Sequence, residues 1–281
     1  MGSVSFEIPS QHGKSLRGDC LEPEGSGPWP VVVVCHGFKG FKNWGFFPEL
    51  GQRLAQAGFA TVLFNFSGAG VGPDLLTFTD FEAFARDTIS QQIDDLGGVL
   101  DALHARRLGS GRLDLRRLAV VGHSRGGAVA ILRAREDPRL AAVVSWAGVS
   151  TLWRYSEREL EEWKRKGSME FLNMRTMQRM RIDSSYVADL EAHRERFDLV
   201  EAVRQLQIPL LLVHGSEDLS VPAQEARELQ AAAGGRAELH QVPGTGHTFG
   251  VVHPWEGSTP AFDEATRTTI GWLRERLQAD R

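Results

Sequence analysis

Three kinds of residue that together can carry out acyl transfer occur in separate parts of this 281-residue chain. Ser124 lies in the pentapeptide Gly122–Gly126, which reads G-H-S-R-G, and His247 lies in a glycine-rich loop near the end of the chain. Two adjacent acids, Glu217 and Asp218, follow an apolar run. A serine hydroxyl becomes a good nucleophile when a base such as histidine takes its proton, and an acid can orient that base. The residue types therefore point to nucleophilic catalysis by serine.

The surroundings of Ser124 match a turn between a strand and a helix. Leu118–Val121 is a short apolar run that predicts a strand, and the residues from Ser124 to about Glu136 predict a helix. In such a turn the serine hydroxyl projects above the sheet, and the flanking glycines leave room for the tight backbone. A G-x-S-x-G pentapeptide alone is a weak indicator, because glycine- and serine-rich turns are common. The strand before it and the helix after it supply the required context.

A second loop can supply hydrogen-bond donors for the charge that develops during acyl transfer. The segment Cys35–Phe38, which reads C-H-G-F, follows directly after the β-branched run Val31–Val34. Backbone N–H groups stabilise an oxyanion without reorganising, and such a loop provides one donor while the residue after the nucleophile provides the other. We therefore assign the oxyanion hole to the backbone N–H groups of Phe38 and Arg125. His36 is expected either to anchor the loop or to take part in catalysis.

Short apolar runs alternate with longer helical patterns along most of the chain, which is typical of an α/β fold with helices on both faces of a mostly parallel sheet. About eight strands are expected, and the first two form an antiparallel hairpin. The predicted strands are Val4–Ile8, Leu16–Leu21, Val31–Val34, Ala60–Phe64, Leu118–Val121, Ala142–Trp146, Leu210–Val213 and Ala237–Val242. The predicted helices are Phe47–Ala57, Phe81–Leu103, Ser124–Glu136, Ala223–Ala233 and Phe262–Leu277.

The segment from Ser150 to Gln205 interrupts this alternation, because it is charged and helical in pattern and lies between two core strands. We predict an inserted helical cap over residues 150–205 and an α/β core made of residues 1–149 and 206–281. The segment holds four of the five methionines, Met169, Met174, Met177 and Met180. Their flexible side chains suit an adaptable apolar wall over a substrate, and ordinary packing between helices explains them equally well.

Composition and charge argue against several other classes of protein. Hydrophobic residues make up 42%, and 32 basic against 36 acidic residues leave a formal charge of -4, which disfavours a nucleic-acid-binding surface. No stretch approaches the roughly 20 apolar residues that span a bilayer, and the first residues carry no apolar signal region. A cytoplasmic protein without a membrane partner is the expectation. Cys20 and Cys35 are expected to be buried thiols rather than a disulfide.

The spacing of the histidines and a glycine-rich segment predict neither a metal site nor a dinucleotide-binding site. His240, His247 and His253 are spaced irregularly and no cysteine cluster accompanies them, so no metal site is expected. Gly68–Gly72 is rich in glycine but lacks the G-x-G-x-x-G spacing. A glycine-rich turn beside the active site is the better interpretation of that segment.

Four side chains outside the catalytic candidates are expected to contact a substrate. His36, Lys39 and Trp44 belong to the oxyanion loop or follow it, and Trp153 lies near the start of the inserted segment. Lys39, together with Lys42, would attract an anionic or aromatic substrate if it rims the pocket. A solvated loop is the alternative interpretation of the same residues.

The chain resembles bacterial α/β-hydrolases of the carboxylesterase kind, close to the cinnamoyl/feruloyl esterases, the dienelactone-hydrolase-like proteins and the serine aminopeptidase-like hydrolases. The resemblance rests on the His36–Phe38 loop, on Asn65–Gly70 after the next strand, on the Gly122–Gly126 turn, and on Asp218 and His247. It spans nearly the whole chain outside the inserted segment. Dienelactone hydrolases proper carry a cysteine in place of the serine, and haloalkane dehalogenases carry an aspartate there, so both resemble this chain less.

The resemblance implies an α/β-hydrolase fold and a catalytic triad of Ser124, Asp218 and His247, with Asp218 favoured over Glu217 by its position in the family pattern. The implied function is hydrolysis of carboxylic esters with small or aromatic acyl or alcohol groups, through an acyl-enzyme and without a cofactor. An amidase, peptidase or acyltransferase with the same triad is an alternative, and so is a non-catalytic binding protein on the same scaffold. The expected partner is a small-molecule ester, and the expected state is a monomer or a homodimer.

Overall fold

A mostly parallel eight-stranded sheet forms the centre of the fold, in a computed structural model that describes residues 2–173 and 176–277. In chain order the described strands are β1 (Gly2–Pro9), β2 (Ser15–Glu22), β3 (Trp29–Cys35), β4 (Ala60–Asn65), β5 (Leu113–His123), β6 (Ala142–Trp146), β7 (Ser168–Asn173), β8 (Gln178–Asp183), β9 (Leu210–Gly215) and β10 (Ala237–Val242). The described helices are α1 (Phe47–Gln56), α2 (Phe81–Ala85), α3 (Ile89–His104), α4 (Arg125–Glu136), α5 (Glu157–Lys166), α6 (Ser185–Ala192), α7 (Leu199–Gln205), α8 (Ala223–Ala232) and α9 (Pro260–Leu277).

The strands of the central sheet lie in the order β1-β2-β4-β3-β5-β6-β9-β10. The β1–β2 and β2–β4 pairs are antiparallel, and the other neighbours are parallel. Every residue of β3, β4, β6 and β9 is buried, as expected of strands whose two faces are both covered. The predicted α/β architecture, the strand number and the opening hairpin are confirmed.

The connections of the parallel strands bring the candidate residues to one edge of the sheet. Phe38 follows the end of β3 and Ser124 follows the end of β5, while Asp218 and His247 follow β9 and β10. Parallel strands have their carboxyl ends at the same edge, and α/β sheets collect their site residues there. Four segments that are distant in sequence therefore approach one another beyond this edge.

The single helix predicted over Phe81–Leu103 is wrong, because α2 and α3 are separated by a break at residues 86–88. Thr88 has an extended backbone, and its hydroxyl accepts a hydrogen bond from the N–H of Gln91, so it caps a new helix. Asp87 turns inward and is buried against Arg125. The helical periodicity of the segment continues across the break, and for this reason the sequence pattern did not reveal it.

The inserted segment contains α5, α6 and α7, and also an antiparallel hairpin of β7 and β8 that the helical pattern did not predict. Trp163 stacks on Tyr186 and donates from Nε1 to the Ile182 carbonyl at 2.8 Å, which joins α5, α6 and the hairpin. At the end of the segment, α7 packs against the core helices α4 and α8. A separate cap domain with the bounds 150–205 stays a prediction.

The methionines of this segment differ in their environment. Met180 is buried and Met177 is exposed, whereas Met174 lies outside the described residues. Neither Met177 nor Met180 lines the cavity at Ser124 that is described below. Among the described helices, none combines the length and the apolar character that are needed to cross a bilayer.

Candidate active site

Ser124 occupies a strained turn between β5 and α4. Its backbone φ of 56° and ψ of -123° lie in a region that residues other than glycine rarely adopt. Such a conformation costs about 1–3 kcal/mol. The N–H of Ser124 donates to the Trp146 carbonyl at 2.8 Å and ties the turn to β6. A Cβ on Gly122 would lie 2.1 Å from the Gly126 carbonyl oxygen, and one on Gly126 would lie 2.4 Å from the His36 carbonyl oxygen. Both flanking positions therefore require glycine.

His247 and Asp218 form a hydrogen-bonded pair beside this turn. His247 Nδ1 donates to Asp218 Oδ2 at 2.7 Å, and the Asp218 side chain is fully buried. The other oxygen of the carboxylate accepts from the backbone N–H groups of Ser220 and Val221 at 2.8 and 2.9 Å. Glu217 is exposed, so the geometry brings Asp218 and not its neighbour to the histidine.

The environment of Asp218 keeps its carboxylate ionised. Burial acts to raise the pKa of Asp218, but hydrogen bonds from His214 and His247 outweigh it and hold that pKa well below its usual range. A permanently charged acceptor fixes the tautomer of His247, because Nδ1 must carry the proton. Nε2 is then the ring nitrogen that can act as a base toward Ser124, which lines the same cavity as His247.

His123 positions the loop that carries His247. The Nε2 of His123 donates to the His247 carbonyl oxygen at 2.9 Å, and the two rings lie 4.7 Å apart between centroids. From the sequence, His123 was notable only as a member of the pentapeptide. Its neighbour in the chain is Ser124, so one short segment holds the candidate serine and also supports the loop that carries His247.

The oxyanion loop lies against the serine turn. A Cβ on Gly37 would meet the Ser124 Cβ at 3.0 Å, so the backbone of the loop approaches Ser124 closely. Phe38 and Arg125 both line the cavity that holds Ser124. Arg125 is the first residue of α4, where backbone N–H groups have no partner within the helix and favour negative charge.

His36 is a buried anchor of this loop. Its Nε2 accepts from the N–H of Phe66 at 3.2 Å, so Nδ1 carries the proton and donates to the Gly37 carbonyl at 2.9 Å. Burial lowers the pKa of His36 to about 4, which keeps the ring neutral. His36 does not line the cavity at Ser124. Of the two roles expected for His36, the contacts match the anchoring one.

One cavity of about 400 Å³ contains Ser124, His247 and the two residues expected to form the oxyanion hole. Its walls come from the core loops and from the inserted segment. The lining residues are Phe38, Lys39, Ser124, Arg125, Val149, Leu152, Arg154, Tyr155, Ile182, Tyr186, Ser220, Val221 and His247.

Of the expected substrate contacts, Lys39 lines this cavity, whereas Trp153 does not. Trp44 lines a smaller cavity of about 30 Å³ that also contains Ser124 and His247. Trp44 is buried and stacks on His253, with 5.8 Å between ring centroids. Trp153 lies under the guanidinium of Arg194, 4.0 Å from the ring centroid. Lys42 is buried in an ion pair with Asp19, so it neither rims the pocket nor belongs to a solvated loop.

Arg154, Tyr155 and Tyr186 line the cavity, and the sequence analysis missed them. One signal was present, because the chain has two tyrosines and both lie in the inserted segment. Burial raises the pKa of Tyr186 to about 12, so its hydroxyl stays protonated. A tyrosine side chain combines an apolar ring with a polar hydroxyl. The inserted segment therefore contributes polar as well as apolar groups to the site.

The described residues contain no group of three His, Cys, Asp or Glu side chains that could hold a metal ion. His240 pairs instead with Glu264 at 2.8 Å. Cys20 and Cys35 are free and buried, as predicted, and burial raises the pKa of Cys20 to about 12.

A serine in a strained turn between a parallel strand and a helix, with an acid and a histidine on later loops of the same sheet edge, defines the α/β-hydrolase class. The chain belongs to the alpha/beta hydrolase family, whose family model matches residues 32–258. The resemblance inferred from the sequence is thereby confirmed. Membership of this family supports a hydrolytic function.

Several known proteins and solved structures are similar to this chain in sequence or in fold. The 2,6-dihydropseudooxynicotine hydrolase of Paenarthrobacter nicotinovorans is 27% identical over 198 residues, which cover 70% of this chain and 46% of that protein. The chain thus covers less than half of the length of this relative. The alpha/beta hydrolase GrgF from Penicillium sp. sh18 has a TM-score of 0.76 and 17% identity, over 99% of this chain and 100% of that chain.

A second similar structure is that of Est1E from Butyrivibrio proteoclasticus with bound ferulic acid. Its TM-score is 0.75 and its identity is 18%, over 97% of this chain and 99% of that chain. At such identities the similarity shows a shared fold, and the substrate has to be argued from the site itself.

Proposed function

We propose that this protein hydrolyses carboxylic esters with small or aromatic acyl or alcohol groups, through an acyl-enzyme on Ser124. The single observation that carries the proposal is the 2.7 Å hydrogen bond from His247 Nδ1 to Asp218 Oδ2, beside a strained serine that lines the same cavity. A serine, a base and an acid that orients the base are the parts that nucleophilic acyl transfer needs.

In the first half of the proposed reaction, His247 takes the proton of Ser124 as Oγ attacks the carbonyl carbon of the ester. The oxyanion that forms accepts hydrogen bonds from the backbone N–H groups of Phe38 and Arg125. His247 then gives the proton to the leaving oxygen, the bond to the alcohol breaks, and the acyl group stays on the serine.

In the second half, His247 takes a proton from water while the water oxygen attacks the acyl carbon. The same N–H groups stabilise the second oxyanion, and the return of the proton to Ser124 releases the acid. Asp218 remains ionised throughout and stabilises the imidazolium, which agrees with the low pKa that its hydrogen bonds produce. No cofactor takes part in these steps.

The size of the cavity supports a small substrate. Its volume of about 400 Å³ is near the lower end of the roughly 300–1,000 Å³ that small-molecule sites occupy. Apolar side chains such as Val149, Leu152 and Ile182 form part of the wall and suit a short acyl chain or an aromatic ring.

Covalent labelling tests the nucleophile. A neutral fluorophosphonate probe is expected to label the wild-type protein, and Ser124→Ala is expected to abolish the labelling. Ser220→Ala is the matched control, because Ser220 lines the same cavity without a role in the proposed reaction. Labelling that survives in Ser124→Ala, or that disappears in Ser220→Ala alone, would contradict the assignment.

A substrate panel tests the reaction type. Aryl esters of increasing acyl length, hydroxycinnamate esters and aminoacyl anilides share the triad chemistry but differ in the bond that is cleaved. We expect hydrolysis of esters to exceed that of anilides. Cleavage of anilides without cleavage of esters would replace the esterase proposal by an amidase.

A further inference from the structure

The ionisable side chains that line the cavity are predominantly basic. Three basic residues line it: Lys39 belongs to the loop after β3, Arg125 is the first residue of α4, and Arg154 lies in the inserted segment. Among the described residues that line this cavity, none is Asp or Glu. A cleft that is lined by charges of one sign concentrates its field and attracts ligands of the opposite sign.

The acids that pair with the two arginines lie behind the cavity wall. Arg125 Nη2 contacts Asp87 Oδ2 at 2.6 Å, and Asp87 is buried beneath α4 and does not line the cavity. Arg154 Nη1 contacts both carboxylate oxygens of Glu225 at 2.9 and 3.0 Å, and Glu225 belongs to α8. Each ion pair therefore presents its positive partner to the cavity and keeps its negative partner outside.

These contacts also hold the cations in place. The Arg125 guanidinium packs on the Phe38 ring, and the Lys39 ammonium lies 5.4 Å from the centroids of both Phe38 and Phe171. Arg154 Nη2 also donates to the Ser220 carbonyl at 3.3 Å. Cations that are already positioned lose less conformational freedom when they bind an anion.

Tyr155 and Tyr186 belong to the same wall. Burial raises the pKa of both, so that both remain protonated and able to donate at neutral pH. The cavity thus combines basic side chains with neutral hydrogen-bond donors, while its apolar part lies at Val149, Leu152 and Ile182.

We propose that this cavity selects esters that carry a second, anionic group, namely a free carboxylate on the part of the substrate that lies against Lys39, Arg125 and Arg154. Guanidinium groups bind carboxylates through charge-assisted hydrogen bonds, which are about twice as strong as neutral ones. The proposal rests on the proposed ester hydrolysis at Ser124 for its reaction, but the recognition of the carboxylate can be measured without catalysis.

A matched pair of substrates tests the selectivity. The mono-4-nitrophenyl ester of glutaric acid and the 4-nitrophenyl methyl diester of the same acid have the same leaving group and chain. They differ at the distal group, which is a charged carboxylate in the first and an uncharged methyl ester in the second. We expect kcat/KM to be at least about tenfold higher for the charged ester, since hydrogen bonds to a charged group are about twice as strong as neutral ones. Equal rates, or a preference for the diester, would overturn the proposal.

Substitutions locate the origin of the selectivity. Arg154→Gln and Lys39→Gln are each expected to lower the ratio of kcat/KM for the charged over the neutral ester by about 3- to 10-fold. The control is Arg116→Gln, which removes the same charge from a 91% exposed side chain in β5, seven residues before His123. A ratio that falls as much in Arg116→Gln as in the cavity variants would show a general effect of net charge and would overturn the proposal.

A binding measurement on Ser124→Ala separates this proposal from the catalytic one. We expect calorimetry to show that monomethyl glutarate binds this variant more tightly than dimethyl glutarate, and that adding Arg154→Gln reduces the difference. If the wild type is not labelled by fluorophosphonate and yet shows this preference, the ester hydrolase proposal fails and the carboxylate site stands. If labelling occurs and neither ligand is preferred, the hydrolase stands and the carboxylate site fails.

Discussion

The guanidinium of Arg125 lies 4.5 Å from the centre of the Phe38 ring, so the two residues assigned to the oxyanion hole contact each other through their side chains. The Phe38 ring also packs on Phe84 and Phe171, at 5.6 and 5.7 Å between centroids. The guanidinium of Arg125 also forms an ion pair with Asp87. The donors of the proposed hole are therefore fixed by packing as well as by the backbone of their loops.

Replacing Phe38 tests this connection. Phe38→Leu keeps the backbone N–H but removes the π face under Arg125, and a cation–π contact contributes about 0.5–2 kcal/mol. We expect kcat for a neutral aryl ester to fall about 2- to 30-fold, as a matching rise in the activation free energy implies. Phe38→Tyr retains the aromatic face and should stay close to the wild type. A Phe38→Leu enzyme with unchanged kcat would show that the contact does not support the donors.

The choice between two adjacent acids is testable by a pair of isosteric substitutions. Asp218→Asn retains the shape but loses the charge that orients and stabilises His247, and we expect kcat to fall by about 10⁴-fold. Glu217→Gln, at the exposed neighbouring position, is expected to leave kcat unchanged. Steady-state kinetics with one aryl ester measures both. A large fall in kcat for Glu217→Gln with none for Asp218→Asn would show that Glu217 is the acid that orients His247.

His36 is expected to make the protein less stable in acid. Burial lowers the pKa of His36 from 6.5 to about 4. Between these pH values the unfolded chain binds a proton that the folded chain does not, so the free energy of unfolding decreases as the pH falls, by up to about 3 kcal/mol at pH 4. His36→Gln should flatten the dependence of this free energy on pH between 7 and 4, as measured by urea denaturation.

The control for this experiment is the exposed His104. His104→Gln should keep the pH dependence of the wild type. If the His36→Gln and wild-type curves remain parallel over the whole range, the buried histidine is not the source of the acid sensitivity.

Glycine at position 122 should be required for stability. A Cβ there would lie 2.1 Å from the Gly126 carbonyl oxygen, so Gly122→Ala is expected to lower the free energy of unfolding by about 1–3 kcal/mol. Gly271→Ala, in α9, meets no atom within 4 Å and should raise that free energy by about 0.5–1 kcal/mol. Urea denaturation of the two variants would contradict the steric argument if both changed in the same direction.

The sequence by itself was sufficient for the features that depend on neighbouring residues. The turn at Ser124 needs glycine at 122 because the Gly126 carbonyl approaches it within the same short segment, and this requirement is visible as a pentapeptide. Glycine at 126 belongs to the same pentapeptide, although the atoms that require it lie in the distant loop at His36. Buried parallel strands are apolar on both faces, so continuous runs such as Val31–Val34 predicted them correctly.

Other features depend on residues that only the tertiary structure brings together. The break between α2 and α3 is invisible in the periodicity, because Asp87 turns inward to meet Arg125, which is 38 residues away in sequence. The β7–β8 hairpin likewise lies in a segment whose pattern resembles a helix. Tertiary packing outweighs local propensity at both places.

The candidate active site likewise contains some residues that the sequence predicts and others that only the tertiary structure brings there. Ser124, Asp218 and His247 follow the ends of parallel strands, and the order of those strands in the chain was enough to predict that they would lie close together. Arg154 and Tyr186 face Ser124 because the inserted segment folds back over the sheet edge, and nothing near them in the sequence marks that placement. The positions of the three candidate residues were therefore predictable from local motifs, whereas the basic character of the cavity wall follows from contacts between residues that are distant in sequence.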